Sequence, residues 1–474
     1  MSSWTCKRSA VAAAAVGGLL AGTQPWAAAA GPAVVQAPAL PGAPPISGRD
    51  RVYTADQTSN TVTVINPKTD QVLGTIALGS QRLDSTLSPQ YLDQVDVHGL
   101  GFSRDGRYLD VISVTTNTVT VIRTADNTIM SRTYVGRAAH EGLFAPDGRH
   151  VWVADRGTST VDIVDGLAGG ITGHIRTAAG PSKVLFSPDG RLAYVNHILA
   201  ATVEVIDVAQ RRVVERIRGL ADVFSSDMGL SPDGRQLWVA HKKTGQVSVI
   251  DTHAREVVDV LDTGPDTNHP NFVTFPDAAY AYLTVGGLNE TKIYRRDRAH
   301  PRLVAAVKST GVEPHGIWPS PDNTRVYVVN EHSDTVDVID THPRHVIDTL
   351  RVGQEGQALV YVANAVPLGT GTAHLTRQGL TGRVVNSPAT VSGSPGKVLL
   401  TVRAVQGLDM VQLAGSGLTP NGTYTAYAQR GGQLIPFVTF TADAAGSAPQ
   451  VLSFFRFFGV YSRHTVVVRP GAPG

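Results

Sequence analysis

The apolar positions of this chain come in short bursts with the two-residue alternation of β-strands. Residues 314–340 show the unit. Ile317-Trp318 lies in a first strand, Ser320-Pro321-Asp322-Asn323 is turn chemistry, and Val326-Tyr327-Val328-Val329 is a wholly apolar second strand. Thr335-Val336-Asp337-Val338-Ile339 then alternates polar and apolar residues as a third strand. A lone meander of this kind cannot cover both of its faces, so it predicts copies of itself alongside.

The copies are present. Turn aspartates at Asp105, Asp147, Asp189, Asp233, Asp277 and Asp322 are spaced by 42, 42, 44, 44 and 45 residues, the size of one four-stranded propeller blade. A second strand follows each turn: 108–112, 151–154, 193–196, 237–240, 281–284 and 326–329. A seventh, Val52-Tyr53-Thr54-Ala55, has no first strand ahead of it. The missing partner is expected at Gln357-Ala358-Leu359-Val360-Tyr361-Val362, so the N- and C-terminal strands of the repeat region share one blade and close the ring. The fold class predicted is therefore all-β: a seven-bladed β-propeller over residues 50–363.

The pair Val326-Tyr327-Val328-Val329-Asn330 and Thr335-Val336-Asp337-Val338-Ile339-Asp340 resembles the YVTN-type repeat of seven-bladed propellers. That family includes surface-layer and periplasmic proteins and is similar to the haem-binding propeller of periplasmic nitrite reductases. The resemblance implies a fold; it does not imply one activity, because propellers carry many.

The flanks change the picture. Residues 1–30 read as a signal peptide: Lys7 and Arg8 precede the apolar stretch Ala10 to Gly22, and small residues close it at Ala30. Export follows, with a secreted, periplasmic or cell-surface location. No later segment has the length of an apolar membrane span. Residues 31–49 are a Pro/Ala-rich spacer, 364–385 a linker, and 386–474 a second β-rich region expected to form a small β-sandwich. Its Phe454-Phe455-Arg456-Phe457-Phe458 run is expected to be a core strand rather than a membrane or partner patch.

Of 474 residues, 41 are basic and 39 acidic, and two of the basic ones lie in the leader. That balance argues against nucleic acid as a partner. The single cysteine, Cys6, is also in the leader, so a metal site in the mature chain would be built on histidine.

Histidine is placed with order. Seven residues before the turn aspartates stand His98, His140, Ser182, Ser226, Pro270 and His315, with His269 one place earlier. Six before stand Gly99, Glu141, Lys183, Asp227, Asn271 and Gly316. Eight after stand Ser113, Asp155, His197, His241, Val285 and Asn330, with Asp56 in the same place of the first blade. Starts of first strands and ends of second strands share one end of a blade, so these side chains are expected around one mouth of the central channel.

Singly, each histidine is explained by a structural hydrogen bond. Six in phase point to a ligand site, and neutral imidazoles without thiolates suit Cu, Zn or Fe. His98, His140, His269 and His315 are the candidate first ligands; His197 and His241 are candidate ligands or outer partners. Glu141, Lys183, Asp227, Asp155, Asp56 and Asn330 are candidate supporting groups. A binding protein for a small molecule or metal is the leading expectation. A metal-dependent, copper-like oxidoreductase, a lactonase- or lyase-type enzyme using Glu141, Lys183 and His140, and a scaffold for a protein or cell-wall partner are the alternatives. No phosphate loop, nucleophile elbow or dinucleotide fingerprint stands in a fitting context.

Overall fold

The computed structural model describes residues 42–79, 95–297, 300–380, 384–393, 396–405, 408–430, 432–455 and 466–473. Residues 1–30, read above as a signal peptide, and Arg456-Phe457-Phe458 lie outside the described residues.

Seven four-stranded antiparallel sheets form the propeller. Six are consecutive meanders. Their innermost strands are Val97–Phe102, Ala139–Phe144, Pro181–Phe186, Asp227–Leu230, Thr267–Thr274 and Pro314–Pro319, belonging to blades 2 to 7. Blade 1 is composite: Gly356–Val362 pairs with Arg51–Asp56, and Thr61–Asn66 and Gln71–Ala77 complete it. The register sets Tyr53 opposite Val360, as the missing-strand argument requires. Each innermost strand packs on the next all the way round, so none is a free edge.

The turns repeat one device. Ser103, Ser187, Ser231 and Ser320 donate their hydroxyls to the aspartate two residues on, at 2.6, 2.5, 2.6 and 2.7 Å. Gly106 then takes φ +70°, which a glycine adopts without strain. The second strands are buried on both faces because apolar layers between blades cover them; Tyr327, Val329, Val336 and Val338 pack with Val52, Leu359 and Tyr361 across the closing seam.

Glycines let the innermost strands approach. A Cβ on Gly99 would lie 2.5 Å from the carbonyl oxygen of His140, and one on Gly316 would lie 2.5 Å from that of Gln357.

Residues expected to be a plain linker are strapped onto the propeller. Thr376 bridges to Thr75, Gln378 Nε2 donates to the carbonyls of Ser59 and Gly79, and Asn127 Nδ2 donates to those of Gly371 and Ala373. Beyond it, Val384–Val391 is shared by two four-stranded layers, which also use Lys397–Val405, Leu408–Ser416 and Ala448–Phe455 on one side, and Thr423–Arg430, Gln433–Thr441 and Val466–Pro470 on the other. Val398, Leu400, Val411, Leu413, Tyr424, Phe440 and Val466 form its core, which makes it the small sandwich. Phe454 departs from the core expectation and is 48% exposed. Among the described residues no helix is long and apolar enough to cross a membrane.

Candidate functional site

The innermost strands share an irregularity where the sequence pattern placed chemistry. Pairing skips His98 in blade 2, His140 and Glu141 in blade 3, Ser182 in blade 4, Asn268 and His269 in blade 6, His315 and Gly316 in blade 7, and Gln357 and Ala358 in blade 1. In blade 5 the strand begins at Asp227. These bulges turn one side chain per blade out of the ladder, an arrangement frequent beside functional sites.

The bulged residues are stitched around the axis, each to the next blade. His98 Nε2 lies 2.8 Å from His140 Nε2. His140 Nδ1 donates to the carbonyl of Ser182 at 2.9 Å, and Ser182 Oγ donates to the carbonyl of Ser226 at 2.8 Å. Asn268 Nδ2 donates to the carbonyl of Pro314 at 3.1 Å, and His315 Nδ1 to that of Gln357 at 2.9 Å. The rings of His269 and His315 are 4.6 Å apart, centroid to centroid.

The four imidazoles are held neutral. Burial is the largest cause for each. The Arg156 charge adds to it for His98, which is pushed down to about 3, and for His140, which lies well below its ordinary value. His315 and His98 both add to the depression of His269, so the two histidine pairs sense one another.

Below them runs a charged row from three successive blades. Lys183 Nζ lies 3.0 Å from Glu141 Oε2 and 2.7 Å from Asp227 Oδ2, and His269 Nδ1 lies 3.3 Å from the same Asp227 oxygen. Burial pulls the Lys183 ammonium down, but Asp227 and Glu141 outweigh it and its pKa rises. Asp227 is pushed up to about 8, first by burial, with Lys183 opposing and Glu141 reinforcing. Glu141, Asp227 and His269 bring one donor atom each within 4.8 Å of one another. Deeper still the channel is apolar, lined by Leu143, Leu185, Met228, Ile317 and Trp318, with about 50 Å³ of water-sized space.

The ends of the second strands behave differently and correct the sequence expectation. His197 and His241 are fully buried inside their blades. His197 Nε2 faces Glu204 at 3.4 Å, and His241 Nε2 faces Ser248 Oγ at 2.8 Å. Asp56 accepts from the hydroxyls of Thr54, Thr61 and Thr63, and Asn330 donates to Thr335 Oγ1. Asp155 is buried near Asp162, and burial followed by that like charge raises it to about 9. These five residues tie strands together and do not join the mouth.

The next residue along does. One place later, just past the strand ends, stand Gln57, Arg156, Lys242 and Glu331. Gln57 Oε1 meets His98 Nδ1 at 3.0 Å, Arg156 Nη2 donates to Ser182 Oγ at 2.6 Å, and Glu331 Oε2 lies 3.9 Å from His315 Nε2. Lys242 Nζ pairs with Glu313 at 3.0 Å. His332, two residues past Asn330, is buried between Glu313 at 3.2 Å and Glu331 at 3.3 Å. A repeat alignment read nine residues past the turn aspartates, rather than eight, would have found Arg156, Lys242 and Glu331.

Comparison with known proteins fits this architecture. The family model "Lactonase, 7-bladed beta-propeller" matches residues 131–346. No curated protein matches. A solved structure of hydrazine synthase from Kuenenia stuttgartiensis is similar at 23% identity and TM-score 0.49, covering 61% of this chain and 92% of that one. A protein of unknown function from Desulfotomaculum acetoxidans is similar at 12% identity and TM-score 0.55, covering 65% and 98%. At 12% identity the likeness to the Desulfotomaculum acetoxidans protein is one of fold, and the chain is a seven-bladed β-propeller.

Proposed function

We propose that this is an exported propeller that binds a transition-metal ion, or a ligand through such an ion, at the histidine-ringed mouth. The carrying observation is the orientation of the imidazoles. His140 and His315 each commit Nδ1–H to a carbonyl of the next blade, which leaves Nε2 with its lone pair. His98 Nδ1 faces Gln57 Oε1, so its Nε2 lone pair meets that of His140 at 2.8 Å. Carbonyl-anchored rings of this kind are the usual support of metal-ligating histidines. Two nitrogens at about 2.0–2.1 Å from one ion and at right angles would be about 2.9 Å apart, close to that separation. A rotated Gln57 amide, donating Nε2–H to His98 Nδ1 and so placing the His98 proton on Nε2, is the other way to satisfy the pair, and metal analysis separates the two. Among Cu, Zn and Fe, neutral nitrogen donors suit all three.

The test is elemental analysis of the purified full chain after growth with trace metals. Near-stoichiometric Cu, Zn or Fe is expected, with loss of most of it in a His140→Gln/His315→Gln variant that keeps its melting behaviour. A metal-free wild-type protein that also takes up none of the three on titration would reject the reading in favour of a scaffold.

A second reading, lactone hydrolysis at the same mouth, is favoured by the lactonase-type pattern over residues 131–346, which spans Glu141, Lys183 and Asp227. Water would add to the acyl carbon, the ring C–O bond would break, and Asp227, held protonated near neutral pH, would deliver its proton to the leaving oxygen and regain one from the attacking water. A proton-release assay over a lactone panel checks it: turnover that survives Asp227→Asn unchanged rejects this assignment.

A further inference from the structure

Charge in the mouth is matched group by group, with one exception. Glu141 and Asp227 share Lys183, Glu313 has Lys242 and His332, and Glu331 has His332. Arg156 is the exception. Among the described residues its guanidinium has a single acceptor, Ser182 Oγ, and its Nε is buried with no partner. Glu141 and Asp227 act on it only through space.

Its position is central. Ser182 Oγ, which takes the Arg156 hydrogen bond, also lies 3.3 Å from His140 Nδ1, so the guanidinium sits beside the His98–His140 pair. It is held there by its own backbone: Arg156 N donates to the carbonyl of Ala138, and Gly157 N to that of Arg137. A guanidinium offers five N–H donors in a fork that matches carboxylate and phosphate oxygens. Arg156 is half-buried, and leaving its buried Nε–H unpaired costs free energy unless a ligand supplies the acceptor.

We infer that the ligand of the mouth carries an anionic oxygen group, a carboxylate or a phosphate, and that Arg156 is the residue that grips it. This rests on the mouth being a ligand site, as proposed above, but not on the metal.

Succinate and inorganic phosphate are the probes, titrated separately into the full-length protein by calorimetry and by thermal shift. Wild type is expected to bind at least one, and the arm that responds identifies the oxyanion. Arg156→Met should weaken that binding about tenfold or more, the usual worth of a hydrogen bond to a charged group, with metal content unchanged. Arg156→Lys, which keeps the charge but not the fork, should bind several-fold more weakly than wild type while folding normally. Binding of neither probe by wild type, or equal binding by wild type and Arg156→Met, overturns the inference. Absence of metal together with Arg156-dependent anion binding would overturn only the metal reading.

Discussion

His98 and His140, on neighbouring blades, place their Nε2 atoms 2.8 Å apart. They stand 42 residues apart in the chain, one repeat. The bulges at both positions lift the rings out of their ladders, and Gly99 lets the two innermost strands close to that distance. The contact is thus a product of repeat spacing, local irregularity and a missing side chain acting together.

The neutrality of His98 should appear as pH-dependent stability. Its folded pKa, about 3, lies below the unfolded value near 6.5, so its contribution is complete above pH 6.5 and lost as pH falls toward 3. Asp227, Asp155 and Asp56 have raised folded values and contribute with the opposite sign. The comparison of wild type with His98→Gln cancels them. Urea midpoints are expected to show a stability difference that is constant from pH 8 to 7 and drifts against wild type from pH 6 to 4; a difference that is flat with pH would contradict it.

Lys183 neutralises two buried carboxyls, so Lys183→Met should destabilise the protein by about 3–5 kcal/mol at pH 8. Acid should repair part of the loss, because Asp227, protonated, no longer needs a cation. Chemical denaturation at pH 8 and pH 5 measures both; equal losses at the two values would mean that packing, not charge, is the role of Lys183.

Gly316→Ala drives a Cβ to 2.5 Å from the Gln357 carbonyl oxygen and 2.7 Å from the Leu359 amide nitrogen, both backbone atoms. A cost of about 1–3 kcal/mol is expected, with weaker ligand binding because the His315–Gln357 bond sits on the same two strands. Gly48→Ala, which meets nothing within 4 Å, is the neutral control. Thermal melts of the three proteins decide.

The ring depends on its seam. Val360 is 1% exposed opposite Tyr53, so Val360→Asp should cost more than about 3 kcal/mol, whereas Val214→Asp on an outer strand, 42% exposed, should cost under about 1 kcal/mol. Similar midpoints for the two variants would mean that blade 1 contributes little to holding the ring.

Much of this was legible in the chain. The turn aspartates gave the phase, and phase placed His98, His140, His269 and His315 on the innermost strands of blades 2, 3, 6 and 7. His197, His241, Asp155, Asp56 and Asn330 show where phase fails. Those residues close their strands inside the blades, and the mouth is served instead by the residues just past the strand ends, Gln57, Arg156, Lys242 and Glu331. Nothing in the local sequence distinguishes Asp155 from Arg156 as the inward residue; the packing of the next blade does.

Repeat length, turn chemistry and alternation are local properties, and they were sufficient for a seven-bladed ring closed by Val360 against Tyr53 and for the histidine-bearing strand starts. Which nitrogen of His140 carries the proton, which carboxyls share Lys183, and that Arg156 is left without a carboxylate were decided by tertiary structure alone. Each depends on a partner on the next blade, 26 to 44 residues away, and the distance to that partner is set by how closely neighbouring blades pack.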